Sequence, residues 1–210
     1  MEQSDIPVLR RMGRPLSFNR DVALDAAMHL FWQHGFEATS IADLTRAMGI
    51  TPPSLYAAFG DKKRLFRETV DRYLGGGLTT ITRVIEEAVT ARDAASDLLV
   101  AAATGDTGED TPPGCLLASS IVSSSIGAAD VREEMAAIRR GIEAALCTRI
   151  EQDIRSGDLP PNCDAQGLAG HVLAVVQGMS TLAKDGAGRD KLLRIVDSTL
   201  TCWPTNREDA

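Results

Sequence analysis

The side chains of this sequence that could together bind a charged ligand lie within one short stretch, from Thr51 to Lys62. Thr51, Pro52 and Ser54 are small, so a helix that begins with them can bring its N-terminal end close to the base edges in a DNA major groove. Tyr56 follows on the same helix, where its phenol could reach a phosphate oxygen. Lys62 lies near the start of the next helix, where its ammonium and the free backbone N–H groups both favour an anion. This stretch therefore predicts nucleic-acid binding rather than catalysis.

Four short helices would position these residues, because capping residues and glycines divide the first part of the chain into apolar-periodic segments. Helix one runs from a cap at Ser17 or Asn19 to Gly35, helix two from a capping box at Ser40 and Asp43 to Gly49, helix three from Thr51 to Gly60, and helix four from Asp61 through Tyr73. The short turn at Gly49 joins two short helices, which is the signature of a helix-turn-helix.

The remainder of the chain also has helical periodicity throughout. Helices are predicted around 81–89 and near 93–103, 115–126, 130–156, 164–184 and 189–202, with Gly, Pro and Asp breaks at 105–114, 157–163 and 186–188. No window alternates as a strand does, so we expect an all-α fold of about nine helices.

The charge of the chain is unevenly distributed, and this distribution bears on nucleic-acid binding more than the formal net charge of −7 does. Lys and Arg outnumber Asp and Glu from Arg10 to Arg67, whereas from Leu74 to the end twelve basic side chains stand against twenty acidic ones. Of the aromatic side chains, only Trp203 lies beyond residue 74. The sequence therefore predicts a basic, aromatic N-terminal module and an acidic C-terminal one.

Composition excludes several other classes of protein. The 44% apolar and 24% charged fractions are typical of a soluble globular chain. Charge-free stretches such as 168–183 are too short and too interrupted to cross a bilayer, and the first nine residues contain no apolar segment of the secretory type. We expect a cytoplasmic protein without a membrane segment.

The residues that serve enzymes or metals are not arranged for either use. The four cysteines lie far apart without a Cys-x-x-Cys pair, and His29, His34 and His171 share no ligand spacing with them, so we expect no metal. Gly75–Gly77 lacks the Lys-Ser/Thr of a phosphate loop, and there is no Gly-x-Ser-x-Gly elbow. We expect no cofactor and no enzymatic activity, although a helical enzyme that retains a helix-turn-helix is a further alternative.

Cys115 admits two interpretations. A thiol at the start of a helix can have its pKa lowered by the helix dipole and act as a redox or electrophile sensor. No Lys, Arg or His flanks Cys115, however, so a structural thiol is favoured.

Residues 13–73, with GRPLSFNRDVALDAAMHLFWQHGFEATSIADL and MGITPPSLYAAFGDKKRLF, resemble the N-terminal DNA-binding domain of the TetR/AcrR family of bacterial transcriptional regulators. The resemblance implies a flexible basic arm over 1–16, a helix-turn-helix head over 17–62 and a ligand-binding and dimerisation body over 63–210. It also implies a homodimer that binds a palindromic operator and is released by a small-molecule effector. Thr45 is a departure, because most members have a small Ala there.

The resemblance also assigns roles to individual residues. It implies phosphate contacts from Thr39, Ser40, Tyr56 and Lys62 and base contacts from Thr51, Pro52 and Ser54. An arm formed by Arg10, Arg11 and Arg14 would reach a neighbouring groove or the backbone, and a disordered solubilising tail is the alternative interpretation of these arginines.

Two helices near the C-terminus resemble the dimer interface of that family. Within 164–184 a narrow stripe of small residues comprises Gly167, Gly170, Ala174 and Gly178, and the last helix carries Leu192, Leu193, Val196, Leu200 and Trp203 on one side. The alternative is a tight crossing of the two helices within one chain.

The effector cavity is expected among the middle helices. Its predicted lining is Leu116, Ser119, Ser120 and Ser123, faced by Met135, Ile138, Ile142 and Val175. His171 is a further pocket candidate, although a core histidine is favoured. Because this lining is aliphatic with hydroxyls and has no aromatic ring, we expect a small or medium apolar effector rather than a planar cation.

Overall fold

The computed structural model describes residues 18–119 and 128–206, with the side chain of Ser119 excepted. Within these residues it contains ten helices: α1 (Arg20–Ala38), α2 (Ile41–Met48), α3 (Pro52–Phe59), α4 (Lys62–Tyr73), α5 (Leu78–Glu87), α6 (Ala91–Gly105), α7 (Leu116–Ser119), α8 (Ala129–Ser156), α9 (Ala165–Lys184) and α10 (Arg189–Thr201). No strand occurs within these ranges, and the all-α prediction is confirmed. The arm with Arg10, Arg11 and Arg14 lies outside the described residues, as do Ser120 and Ser123.

The first helix begins and bends where local chemistry dictates. Asn19 rather than Ser17 is its cap, since the Asn19 side chain accepts hydrogen bonds from the backbone N–H groups of Asp21 and Val22. Gly35 has φ 79° and ψ 172°, a conformation that glycine adopts far more readily than other residues. The chain resumes helical geometry beyond it as far as Ala38, so Gly35 interrupts α1 instead of ending it.

Buried apolar side chains form two clusters. We call the first the head core; it consists of buried residues of α1–α4 together with Leu74, Leu116, Leu117, Ala128, Val131 and Met135. The second, the body core, is formed by buried residues of α5, α6, the rest of α8, α9 and α10 together with Leu159 and Trp203. Because α4 and the first turns of α8 pack into the head core, this packing crosses the domain boundary predicted between residues 62 and 63.

A buried ion pair attaches the start of α6 to α8. The Asp153 carboxylate accepts a hydrogen bond of 2.6 Å from the backbone N–H of Ala91 and lies 2.8 Å from the Arg149 guanidinium. That guanidinium also donates to the backbone carbonyls of Ala88 and Val89. The charges of Asp153 and Arg149 are thus paired, and both groups are hydrogen-bonded to the backbone they hold together.

The predicted partner surface on the last helix needs correction. Leu192, Val196 and Trp203 are 0%, 2% and 7% exposed and pack in the body core, while Leu193 and Leu200 are half-buried against it. Helix α10 packs its apolar side against α6 and α9 of its own chain, so that side is not available as a whole to a second copy. On α9, by contrast, Gly167, Ala174 and Gly178 are exposed and Gly170 is half-buried, as a helix-approach surface requires.

The predicted effector lining is divided between the two cores. Leu116 and Met135 are in the head core, Ile142 and Val175 pack in or against the body core, and Ile138 contacts both. His171 is exposed on α9, so the favoured core-histidine interpretation is wrong. It lines an open surface cavity with Cys163 and Leu168, apart from the predicted effector lining. Among the described residues, no helix combines the length and apolar character that crossing a bilayer requires.

Candidate nucleic-acid interface

Helix α2 begins at a complete capping box. The Ser40 hydroxyl accepts a hydrogen bond of 3.1 Å from the Asp43 backbone N–H, and the Asp43 carboxylate accepts one of 3.2 Å from the Ser40 backbone N–H. The helix ends at Gly49, whose φ of 66° and ψ of 28° turn the chain towards α3. Ser40 is exposed, so the end of α2 that it caps faces solvent.

Helix α3 presents polar and small residues outward while it is anchored by large apolar ones. Leu55 and Phe59 are 0% exposed, whereas Thr51 and Pro52 are exposed and Tyr56 is 52% exposed. These three residues share one surface at the N-terminal part of the helix. This is the arrangement that docking of a recognition helix into a major groove requires.

The cap of α3 occupies two of the predicted base-contacting side chains. The Thr51 hydroxyl accepts from the Ser54 backbone N–H at 3.4 Å and lies 3.0 Å from the Ser54 hydroxyl, which is half-buried. Pro52 and Pro53 occupy the first helical positions, where the N–H groups that proline lacks would have no partner within the helix. The two hydroxyls therefore form one small polar patch at the tip of α3.

Lys62 begins α4 and is held against the end of α1. Its Nζ lies 4.5 Å from the centre of the Phe36 ring and 3.5 Å from the backbone carbonyl oxygen of Glu37. Partial burial lowers the pKa of Lys62, and the nearby Glu37 carboxylate opposes this shift. The ammonium is thus positioned at a helix N-terminus, where it can attract a phosphate.

Thr39 is placed differently from Ser40. Thr39 is 1% exposed, and its hydroxyl donates a hydrogen bond of 2.7 Å to the backbone carbonyl of Gly35. This bond ties the Thr39 hydroxyl to the backbone at the kink in α1. The predicted phosphate contact through the Thr39 side chain is therefore corrected to a structural contact.

Sequence reasoning missed Arg46, whose guanidinium lies beside the capping box. Arg46 Nη1 is 3.2 Å from the Asp43 carboxylate, and both side chains are solvent-accessible. The hydrogen bonds from Ser40, together with Arg46, hold the pKa of Asp43 below its usual value. Arg46 thus balances a carboxylate that would otherwise repel phosphate, and the spacing of three residues on an exposed helix face was the available signal.

Thr45, the departure from the family pattern, fits within α2. Its side chain is buried, and its hydroxyl donates to the carbonyls of Ile41 and Ala42 at 3.0 and 3.1 Å. The added hydroxyl is hydrogen-bonded to its own helix and needs no other partner.

Ion pairs brace the head on the side of α1 and α4. Arg20 of α1 pairs with Glu68 of α4, and Arg72 of α4 pairs with Asp21 and Asp25 of α1. Phe66 packs edge-on against Phe31 and Phe36 between the same helices. Aromatic packing in the core and ion pairs on the surface therefore hold α1 against α4 behind the candidate interface.

The Cys115 thiol lies where the head meets the rest of the chain. The Tyr73 hydroxyl donates to its sulfur at 3.3 Å. Burial raises the pKa of Cys115, and this effect exceeds the opposing effects of Tyr73 and of the backbone N–H groups at the start of α7. The thiol therefore lacks the lowered pKa that a helix N-terminus alone would give it.

Comparisons with known proteins agree with this geometry. Residues 23–69 match the family model described as bacterial regulatory proteins, tetR family, and residues 98–196 match that of the tetracyclin repressor-like C-terminal domain. The chain is 39% identical to the HTH-type transcriptional repressor ComR of Escherichia coli (strain K12). This alignment spans 202 residues and covers 94% of each protein. It is also 47% identical over 74 residues, 35% of each protein, to the repressor BdcR of the same organism.

Solved structures show the same likeness over nearly the whole chain. A cysteine mutant of the TetR family regulator CifR, complexed with 26-bp double-strand operator DNA, is 38% identical with a TM-score of 0.83, covering 91% of this chain and 100% of that one. A putative TetR regulator from Rhodococcus sp. RHA1 is 37% identical with a TM-score of 0.62, covering 88% and 98%. With a capped helix-turn-helix at its front and both family models matched, this chain belongs to the TetR family of bacterial regulatory proteins.

Proposed function

We propose that this protein is a cytoplasmic transcriptional repressor that binds a palindromic operator as a homodimer and releases it when a small effector binds to its body. The observation that carries this proposal is the exposed surface of Ser40, Thr51, Pro52 and Tyr56 at the N-terminal ends of α2 and α3. That surface stands on side chains with no exposed area, such as Leu55. ComR is a repressor and CifR was solved on operator DNA, which supports the same use here.

The geometry of the head supports one way of docking on DNA. Helix α3 enters the major groove with Thr51, Pro52 and Ser54 towards the bases, while Ser40, Tyr56 and Lys62 bind phosphates on either side. A two-fold dimer places the two α3 helices about 34–36 Å apart, one turn of DNA, or somewhat farther across a wider site.

Sequencing of the DNA fragments that the purified protein selects tests the proposal. Lys62→Ala and Tyr56→Phe should weaken binding to all sequences. Lys62→Ala should also make the plot of the logarithm of the binding constant against the logarithm of salt concentration less steep, by about 1 in slope. Arg155→Ala is the matched control, since this exposed cation lies at the far end of α8, where it pairs with Glu151 of the same helix. An unchanged salt slope for Lys62→Ala would exclude its phosphate contact.

Base readout is tested on the patch at the tip of α3. Ser54→Ala should change the preferred base at one operator position, because one hydroxyl facing the bases is lost. Thr51→Ala also removes the helix cap, so Thr51→Ser, which keeps the cap, is the control for stability. Identical selected sequences for Ser54→Ala and the wild type would remove Ser54 from base readout.

The exposed small-residue stripe of α9 is proposed as the dimer surface. Apart from the local backbone of its own helix, nothing lies within 4 Å of the position that a Cβ on Gly178 or Gly105 would occupy, so the monomer can accept a side chain at either site. Gly178→Arg should give a monomer that binds the operator poorly, whereas Gly105→Arg should remain dimeric. Light scattering coupled to gel filtration measures both, and a dimeric Gly178→Arg protein would place the interface elsewhere.

The effector is proposed to be a small or medium apolar molecule bound near Ile138, which packs against both cores. Binding there can bias how the head sits on the body, and a coupling free energy of about 1–3 kcal/mol is typical of such regulation. Planar cationic dyes that bind tightly and release DNA would contradict this choice of ligand class.

A thiol-based redox or electrophile sensor is the second candidate, and the contact between the Cys115 thiol and the Tyr73 hydroxyl favours it. Modification of this half-buried sulfur, which contacts the Tyr73 hydroxyl, would displace the end of α4. The raised pKa of the thiol places this candidate second. Operator affinity that falls with oxidant or electrophile in the wild type but not in Cys115→Ser would establish it, and equal responses would exclude it.

A further inference from the structure

Two ion pairs join α4 of the head to α8. Lys63 Nζ lies 2.7 and 2.9 Å from the two carboxylate oxygens of Asp130. The Arg67 guanidinium donates two hydrogen bonds to the Glu134 carboxylate, of 2.7 and 2.5 Å, in the bidentate arrangement that arginine favours. The two basic residues are four positions apart on α4, and the two acidic residues are four positions apart on α8. Successive turns of the two helices therefore face each other.

These contacts lie over a shared apolar seam. Val131 and Met135, the residues that follow Asp130 and Glu134 in α8, are both 2% exposed and belong to the head core. Farther along the same helix, Leu146 is 0% exposed in the body core. Helix α8 is thus one rod of 28 residues, about 42 Å long, with its two ends embedded in different cores.

We propose that Lys63–Asp130 and Arg67–Glu134 form a reversible latch, the α4–α8 latch, which holds the head in its DNA-binding orientation and through which movement of α8 reaches the DNA-binding surface. This inference rests on the function proposed above. Lys63 and Arg67 lie in the first two turns of α4, directly after Lys62, so the latch fixes the helix end that attracts phosphate. A displacement of α8 then moves α4 without any ligand touching the head.

The strength of the latch suits a switch. All four side chains are between 37% and 47% exposed, and exposed ion pairs typically shift an equilibrium by about 1.4- to 5-fold each. Lys63 lowers the pKa of Asp130, and Glu134 raises that of Arg67, so both pairs are charged at neutral pH. Two such pairs on one helix are strong enough to set its orientation and weak enough to be broken when an effector moves α8.

The test uses neutral isosteres on the body side, because changing Lys63 or Arg67 would also alter the charge near DNA. The double variant Asp130→Asn, Glu134→Gln should bind the DNA duplex that the wild type selects from a random library about 3- to 10-fold more weakly, since binding must then fix the orientation of α4 relative to α8. Its α4 amides should exchange with solvent faster by a similar factor. Glu133→Gln is the matched control, because Glu133 is exposed on the same helix and pairs with Arg140 of α8.

A charge exchange provides the rescue. Glu134→Arg should speed exchange of the α4 amides, and the double variant Arg67→Glu, Glu134→Arg should restore protection, because the pair is remade with reversed polarity. Wild-type exchange rates in Asp130→Asn, Glu134→Gln would overturn the latch. If the wild type selects no DNA, the proposed function fails, while the exchange measurement still decides whether the latch exists.

Discussion

The head core and the body core differ in the side chains that fill them. In the head, the ring centres of Phe31 and Phe66 are 5.1 Å apart at 84°, and those of Trp32 and Tyr73 are 4.9 Å apart at 82°. The body core is built from alanines and aliphatic residues, with Trp203 as its one ring among the residues that the structure describes. Interlocked rings have few alternative packings, whereas aliphatic side chains repack around a changed volume more readily. We therefore expect the head core to tolerate changes of side-chain shape less well than the body core.

The largest expected effect comes from opening the ring cluster. Phe66→Ala should cost about 3–5 kcal/mol of unfolding free energy, because it leaves a cavity between Phe31 and Phe36 at a site with 0% exposure. Urea denaturation measures the loss, and DNA binding should fall with it. A cost below about 1 kcal/mol would show that the head repacks easily, which would break the contrast between the two cores.

In the body, the Asp153–Arg149 ion pair attaches the start of α6 to α8 and should contribute strongly to stability. Asp153→Asn should cost about 3 kcal/mol, because it leaves the Arg149 guanidinium, whose side chain is only 12% exposed, without its counter-charge. Glu151→Gln, which removes the partner of the exposed Arg155, should cost less than about 0.5 kcal/mol. If urea denaturation gives equal losses of stability for the two substitutions, the buried ion pair does not stabilise the body more than an exposed one does.

The stability of the protein should depend on pH through Asp106, which follows α6 in the loop before α7. Burial raises the pKa of this carboxyl from 3.8 to about 7, and Lys184 only partly opposes the shift. Because the folded protein then holds the proton more tightly than the unfolded chain, stability should fall as pH rises from about 4 to about 7 and level off above it. We expect a loss on the order of 2 kcal/mol, allowing for solvent screening.

Asp106→Asn should lack this pH dependence, because an amide does not titrate. Thermal unfolding of both proteins between pH 4 and pH 8 gives the comparison. Parallel stability curves for the variant and the wild type would show that Asp106 is not the group responsible.

Among the core substitutions, the smallest effect should come from a change of side-chain shape in the body core. Leu146→Met keeps the volume of a side chain with 0% exposure, and we expect a cost below about 1.5 kcal/mol with the operator affinity unchanged. Phe66→Leu in the head, by contrast, loses two ring contacts and should cost more. If denaturation gives equal costs, the two cores are equally rigid.

Local features of the fold could be predicted from the sequence because their causes are local. The caps at Ser40, Thr51 and Asp61 each bond to a backbone N–H three residues ahead, so short windows contain the whole interaction. The exposure of Tyr56 beside the buried Leu55 and Phe59 likewise follows from helical periodicity.

The errors concern partners that are distant in the sequence. Periodicity showed that Leu192, Val196 and Trp203 form one apolar side but not that α6 and α9 cover it. The burial of Thr39 depends on the break at Gly35, and the exposure of His171 depends on which face of α9 packs inward. The sequence does not indicate that the start of α8 packs into the head core, because that packing depends on tertiary contacts between distant segments.

The shared seam between α8 and the head limits how this protein can be rebuilt. A chimera that joins residues 1–77 to the body of another regulator would leave behind Leu116, Leu117, Ala128, Val131 and Met135, and with them one wall of the transplanted module. The recipient would have to supply matching side chains at the start of its own equivalent of α8. Exchange of operator specificity between such proteins therefore calls for a two-segment graft.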